Sequence, residues 1–436
     1  MQILLIILGA TIIRLIFLNQ SLWLDEATTA LVSNMPFREI FTKFLPGDFH
    51  PPFYYILMKS WVSIFGSSEI SLRIPSIIFG LGLTYFVYLI TKKLFGNKAG
   101  IISSLLVATS GLLIYYSQEA RMYMLTALIV AVAFYYFIEK KWVIFSIALV
   151  LIGLTDYVAL FVLPVFLIFS GKDFKKVVKS LIPLAIAFVL WSFIFVKQLL
   201  GGFGVEKSAW WGILGTLSWK NLGLIPVKFI LGRISFDNRL LYGIISVFSV
   251  LSYLFVILRR PLKDHSHRLI LGWLIFPIII GILVSIKVPV LTYFRFLFCL
   301  PPLYILTAKG VTELSGKKSW FVFGVFLVAN ILFSGKYLLQ DKFHREGWRE
   351  IALIIGNTKV IYPASSQKEA FTYYGKEKNI VYYGDFKGEE KEIYLSRYVW
   401  NIFDSTDQAR LKIENLGYNK VQELNFNGVS FWKYEK

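Results

Sequence analysis

The stretch 142–170, WVIFSIALVLIGLTDYVALFVLPVFLIFS, decides the fold. Across it the one charged side chain is Asp156, while Lys140-Lys141 precede it and Lys172, Lys175, Lys176 and Lys179 follow. Two apolar runs, 142–155 and 157–170, read as a hairpin of membrane spans with lysines at its open end and Thr155-Asp156-Tyr157 at its turn. The rest of the 436-residue chain has the same character. It is 56% hydrophobic and 17% aromatic but only 17% charged, with a mean hydropathy of +0.62, whereas soluble domains run nearer ~45–50% apolar with ~25% charge.

Apolar runs at 2–18, 75–91, 99–116, 122–138, 142–155, 157–170, 177–198, 240–258, 269–286, 294–308 and 320–338 give about eleven spans. The net charge of +19 has its plain cause in cytoplasmic loops. No basic stripe interleaved with aromatics lies outside the spans, so no nucleic-acid partner is expected. The single cysteine, Cys299, sits in an apolar run and excludes an intrachain disulfide framework. The apolar start lacks a basic leader and a small-residue cleavage motif, and reads as a retained span.

The lysine and arginine clusters fall in alternate loops: Lys92, Lys93 and Lys98; Lys140 and Lys141; Lys172 to Lys179; Arg259, Arg260, Lys263 and Arg268; Lys309, Lys317 and Lys318. One orientation puts all five inside. The segments left outside are 19–74, 117–121, the Asp156 corner, 199–239, the stretch 287–295 and the carboxy-terminal tail.

In the first outer loop, Asn34-Met35-Pro36 is expected to open an amphipathic helix, with Asn34 as cap and Phe37, Ile40, Phe41, Phe44 and Leu45 on one face. Pro51-Pro52 then breaks the chain before an aromatic segment from Phe53 to Phe65. Two such interfacial helices make a shelf carrying Asp25, Glu26, Asp48 and His50. Acidic residues after a span are often only solvated charges. A partly desolvated carboxylate here is also suited to take a proton from an acceptor. At the next outer hairpin, Arg121 either snorkels or grips a phosphate, with Gln118 and Glu119 beside it. Arg295, in Tyr293-Phe294-Arg295, faces the same choice, while Arg14 is expected to snorkel. Asp156-Tyr157 reads either as a helix-end cap or as part of a cavity wall. Trp210, Trp211 and Trp219 mark an interfacial belt or a lid.

These pieces resemble the integral-membrane GT-C glycosyltransferases, in particular protein O-mannosyltransferases and the lipid A aminoarabinose transferase. The resemblance rests on Leu24-Asp25-Glu26, Asp48-x-His50-Pro51-Pro52, Phe65-Gly66-Ser67-Ser68-Glu69 with Leu72-Arg73-Ile74-Pro75-Ser76, Lys93-Leu94-Phe95-Gly96 and Tyr116-Ser117-Gln118-Glu119-Ala120-Arg121-Met122-Tyr123. It covers residues 1–140 well and the remainder in layout. It implies transfer of a sugar from a polyprenyl-phosphate carrier on the extracytoplasmic face to a glycan, lipid or protein acceptor. Asp25 would be the catalytic carboxylate and Glu26 its companion, with Asp48 and His50 near the donor head group and Arg121 at the donor phosphate. The aminoarabinose transferase has Lys where His50 stands. The expected mechanism is a single inverting displacement in which Asp25 takes the acceptor's proton. Arg121, with Arg295 or His50, stabilises the leaving lipid phosphate. Asp48, Gln118, Glu119, Tyr123, Asp156, Tyr157 and Tyr293 would orient sugar or acceptor. No cofactor is required; His50 and nearby carboxylates could take a divalent cation, but four scattered histidines make no ligand motif.

The expected fold is mainly α: a multi-pass helical bundle of the cell membrane over 1–339, with the site outside, and a small extracytoplasmic α/β domain over 340–436. In that domain 359–362, 379–382 and 392–395 read as strands. The stretches 348–355 and 407–416 read as helices, the second capped by Asp404 and Ser405, and Asn427-Gly428 reads as a hairpin turn. The alternative from another class is a lipid-linked-sugar flippase or transporter. Such a protein would place ionisable groups or broken helices near the bilayer midplane, whereas the spans 75–91, 99–116 and 142–155 carry almost no charge.

Overall fold

The computed structural model describes residues 1–204, 215–259, 264–364 and 366–436. Trp210, Trp211, Arg260 and Lys263 lie outside the described residues. Among the described residues five helices are long and apolar enough to cross a membrane: Glu69–Phe95, Gly171–Gly201, Arg239–Leu258, His265–Val284 and Lys317–Leu339. A sixth candidate is the pair Asn97–Thr109 and Gly111–Ser117, bent by 59°. The remaining apolar runs fold as shorter helices, Gln2–Leu15, Tyr123–Ile138, Trp142–Thr155, Val158–Ile168 and Leu297–Thr312. At 1.5 Å per residue none of these five spans a ~30 Å hydrocarbon core alone.

Contacts divide the chain into two compact units. One comprises Met1–Leu18, Pro36–Leu57 and Arg73–Leu339; the other comprises Asn19–Met35, Met58–Leu72 and Gln340–Lys436.

In the first unit the bend in the second helix pair is held from outside. A break at Thr109-Ser110 deprives the preceding carbonyls of their partners one turn on. Arg14, fully buried, supplies them: its guanidinium donates to the carbonyls of Ala108 (2.9 Å) and Val107 (3.5 Å), and to Ser117 Oγ (3.0 Å). The Asn330 amide adds a bond to the Leu106 carbonyl (3.0 Å). Arg14 therefore does not snorkel, because the broken helix presents acceptors inside the protein. Gly80 makes room for this contact, since a Cβ there would lie 2.4 Å from Ser117 Oγ and 3.2 Å from Arg14 Nε. Elsewhere Trp273 stacks on Phe134 at 4.0 Å and donates to the Phe298 carbonyl (2.9 Å), so a large aromatic is both packed and satisfied.

The second unit contains a five-stranded sheet in the order β2-β1-β3-β5-β4, built from β1 (Lys359–Tyr362), β2 (Ile380–Tyr382), β3 (Glu392–Ser396), β4 (Asn419–Phe426) and β5 (Val429–Glu435). β1 pairs in parallel with β2 and β3, and β5 pairs antiparallel with β3 and β4. Ile361, Ile393 and Leu395 alternate into a core closed by Ala409 and Ile413 of the Gln408–Asn415 helix. The Asp404 carboxylate caps that helix, accepting from the amides of Gln408 and Ala409 (both 2.8 Å). Asn427 and Gly428 both have positive φ (45° and 94°), as the hairpin turn requires.

The first outer loop departs from expectation at its start. Leu24–Asn34 is a helix with Asp25 and Glu26 in its first turn. Asn34 ends it, its amide donating to the Ala30 carbonyl (2.9 Å), and Pro36 stands at the cap position of the next, irregular helical segment. Phe53–Phe65 is helical as expected.

Candidate functional site

The first unit holds a cavity of about 340 Å³. One wall is apolar, with Leu160, Phe161, Phe195, Leu199, Val284 and Val288, and the polar groups that reach it are His50, Asp156, Tyr157, Gln198 and Arg295. Tyr123 also lines it, its ring packed edge-on against Phe294 (5.4 Å).

Asp48 lies beside this cavity in a chain of polar contacts. His50 Nδ1 is 3.3 Å from both of its carboxylate oxygens, the Tyr55 hydroxyl donates to it at 2.7 Å, and Arg121 Nη1 reaches the Tyr55 oxygen at 3.5 Å. Burial alone would raise the Asp48 pKa, but the charge and hydrogen bond of His50, then Arg121 and Tyr55, outweigh it and hold the group down at about 2. Double proline at Pro51-Pro52 fixes the segment, since both φ angles are preset. Arg121 is buried and stands behind Tyr55. Arg295 and His50 line the cavity itself.

Asp156 does both things expected of it. Its Oδ1 accepts from the Val158 amide (2.9 Å), capping the next turn, and it lines the cavity. Burial raises its pKa, opposed by His50, that backbone bond, Arg295 and Arg121. Tyr157 donates to Gln198 Oε1 (2.5 Å) and accepts from the Trp191 indole (2.6 Å). Gln198, in turn, donates to the carbonyls of Leu45 (2.7 Å) and His50 (3.1 Å), tying the proline segment to the wall. Sequence reading missed Gln198; a lone amide at the end of an apolar run was its available signal.

Other expected residues lie elsewhere in this unit. The Gln118 side-chain amide donates to the carbonyls of Arg14 (3.0 Å) and Ile16 (2.7 Å) and accepts from the Tyr337 hydroxyl (2.8 Å). Glu119 and Tyr293 belong to a second polar cluster around Arg233, also missed from sequence. Arg233 donates to the Tyr115 hydroxyl (2.8 Å) and has Tyr293, Tyr116 and Glu119 as electrostatic neighbours.

The second unit holds Asp25 and Glu26. Glu26 is fully buried, whereas Asp25 is partly exposed. Among the described residues no group of three or more His, Cys, Asp or Glu is placed to hold a metal ion.

The Asp48 contacts predict a pH signature. Its pKa is lower folded than unfolded, so its stabilising contribution is present above about pH 4 and is lost as pH falls through about 2. The stability difference between the native protein and Asp48→Asn is expected to be on the order of 2 kcal/mol near neutrality and to shrink across that window. Melting temperatures of the two proteins measured side by side from pH 6 downwards check it. A difference unchanged to the bottom of the window would remove the ion-pair account.

Over residues 49–196 the chain matches the pattern of the dolichyl-phosphate-mannose-protein mannosyltransferases. A sequence comparison with curated proteins returns no match. Among solved structures, ArnT from Cupriavidus metallidurans bound to undecaprenyl phosphate is similar at a TM-score of 0.58 and 14% identity, covering 99% of this chain and 97% of that one. The Archaeoglobus fulgidus oligosaccharyltransferase tethered with an acceptor peptide gives 0.57 at 13% identity, covering 99% and 74%. The arabinofuranosyltransferase AftD from Mycobacteria gives 0.53 at 11% identity, covering 99% of this chain and 39% of that one. At such identities the likeness is one of fold: the chain has the architecture of the membrane GT-C glycosyltransferases, as its sequence motifs imply.

Proposed function

We propose that this protein transfers a sugar from a polyprenyl-phosphate carrier to an acceptor on the extracytoplasmic face of the cell membrane. Residues 1–339 would form the membrane-embedded catalytic part and 340–436 an extracytoplasmic domain. The observation that carries this reading is the cavity of the first unit, lined mostly by apolar side chains but also by Arg295 and His50. That pairing suits an amphiphile with a hydrocarbon tail and an anionic head. ArnT has undecaprenyl phosphate bound and the archaeal AglB a dolichol-phosphate, which supports the same ligand class here. The loop charges support the orientation.

In the proposed reaction the acceptor's O–H or N–H loses its proton to Asp25 as the nucleophile bonds to the anomeric carbon. The bond from that carbon to the phosphate oxygen breaks, and the lipid phosphate leaves with the electron pair. Arg295, His50 and Arg121 would stabilise the charge that develops on that phosphate. Asp156 and Tyr157 orient the sugar. The base role of Asp25 rests on the resemblance of the 24–26 segment.

The test is incubation of the purified protein with mannosyl, glucosyl, galactosyl and aminosugar polyprenyl phosphates, scoring release of lipid phosphate. Turnover of at least one donor is expected. Silence across all four would favour transport of a lipid-linked sugar.

A further inference from the structure

The helix bearing Asp25 is covered, within its own unit, by the short helix Glu369–Tyr373. Tyr374 fastens the two: its hydroxyl accepts from the Leu22 amide (2.9 Å) and donates to Glu69 (3.2 Å). Glu369 and Tyr398 both lie within electrostatic reach of Asp25, and Glu346 accepts from the Tyr398 hydroxyl (2.9 Å). Glu346, Asp25 and Glu369 thus gather around Tyr398.

Acidic residues in a group do not make a site. The neighbouring side chains point to a ligand. Tyr362 is only 2% exposed, its hydroxyl has no partner among the described residues, and Glu369 is an electrostatic neighbour. Glu369 Oε2, Gln367 Oε1, Thr372 Oγ1 and the Trp23 indole N–H are likewise buried without partners. Glu369, Thr372 and Gln367 sit on or just before one short helix, and Trp23 immediately precedes the helix it covers. Leaving one such group unmet costs ~1–3 kcal/mol, so buried unmet atoms repeated on and just before the Glu369–Tyr373 helix, and on β1 and the Trp23 cap that flank it, call for a polar occupant.

The kinds of atom indicate its chemistry. Carboxylate and amide oxygens only accept, the indole only donates, and the two hydroxyls do both. An anion would meet Asp25 and Glu369, and a cation would leave the indole N–H unmet. A hydroxyl both donates and accepts. We propose that Tyr362, Gln367, Glu369 and Thr372 form a recess beside Asp25 that binds the hydroxyl groups of a saccharide acceptor. This rests on the glycosyl-transfer reading above and narrows its acceptor class from glycan, lipid or protein to glycan. Burial, which raises the Glu369 pKa, with Asp25 adding to the effect, agrees with a carboxyl able to donate as well as accept.

The test is direct binding to the full-length protein in nanodiscs, without donor, by calorimetric titration. Mannotriose, chitotriose and maltotriose serve as saccharide probes, choline as the cation, and undecaprenyl phosphate as the probe of the cavity. At least one saccharide is expected to bind. Glu369→Gln and Tyr362→Phe should each weaken it about tenfold while leaving undecaprenyl phosphate affinity unchanged and not lowering the melting temperature. Absence of saccharide binding beside normal undecaprenyl phosphate binding would overturn the recess and leave the transfer reading intact. So would a saccharide affinity indifferent to both substitutions, or displacement of the saccharide by choline. Failure of undecaprenyl phosphate to bind would overturn the transfer reading instead.

Discussion

Asp25→Asn is expected to lower sugar transfer by ~10²–10⁴-fold, the usual contribution of a general base, with donor affinity and melting temperature little changed. The structure separates Asp25 from its neighbour. Both stand in the first turn of the Leu24–Asn34 helix, where the helix dipole favours negative charge. Successive residues on a helix point about 100° apart, and here that rotation buries Glu26 completely while leaving Asp25 partly exposed. Only the exposed carboxylate can meet an acceptor. Glu26→Gln should therefore act on stability first, lowering the melting temperature, with any loss of turnover following from that. Single-turnover assays with radiolabelled donor, run beside thermal melts, separate the two. If Asp25→Asn kept more than about a tenth of native turnover, the proton would have to go elsewhere.

Much of the fold is legible in the sequence because its signals are local. The eleven apolar runs each fall on an apolar helix or the bent pair. Strands β1 and β3, the Trp348–Ile355 helix and the Asn427-Gly428 turn lie where periodicity and turn chemistry put them. Asn34 misleads because an Asn before Met-Pro can close one helix as well as open another; its amide bond to Ala30 decides for closing. What depends on distant partners is hidden. Arg14 looks like a snorkelling end residue until the break at Ser110 supplies its acceptors some ninety residues on. The joining of 19–35 to the C-terminal segment hangs on bonds such as the Arg345 amide to Gln20 (2.8 Å) and the Arg349 amide to Ser21 (3.0 Å). No local pattern encodes these. Of the candidate site, the residues beside rigid or corner elements, Asp48, His50 and Asp156, were readable. Gln198 and Arg233 were not, since each is one polar side chain among apolar neighbours.

Replacement of Arg295 should have the second-largest effect, because it is the permanently charged group lining the cavity. Its Nη1 is anchored on the Pro289 carbonyl (2.5 Å), which fixes the plane of the guanidinium against the cavity wall. A fork held in place loses little entropy on meeting a phosphate, and the surrounding apolar side chains raise its electrostatic weight. Arg295→Ala is expected to cost ~10²–10³-fold in turnover, as loss of a preorganised group at developing charge does. Arg295→Lys should recover only part, since an ammonium supplies charge without the bidentate geometry. Arg121→Met should behave differently. It removes a buried charge behind Tyr55, so Asp48 loses a counter-charge and the protein loses stability along with activity. The decisive measurement pairs undecaprenyl phosphate with undecaprenol, which has the same tail but no phosphate. Arg295→Ala should weaken binding of the first and leave the second unchanged. Equal loss for both would mean that Arg295 shapes the cavity and does not read the phosphate.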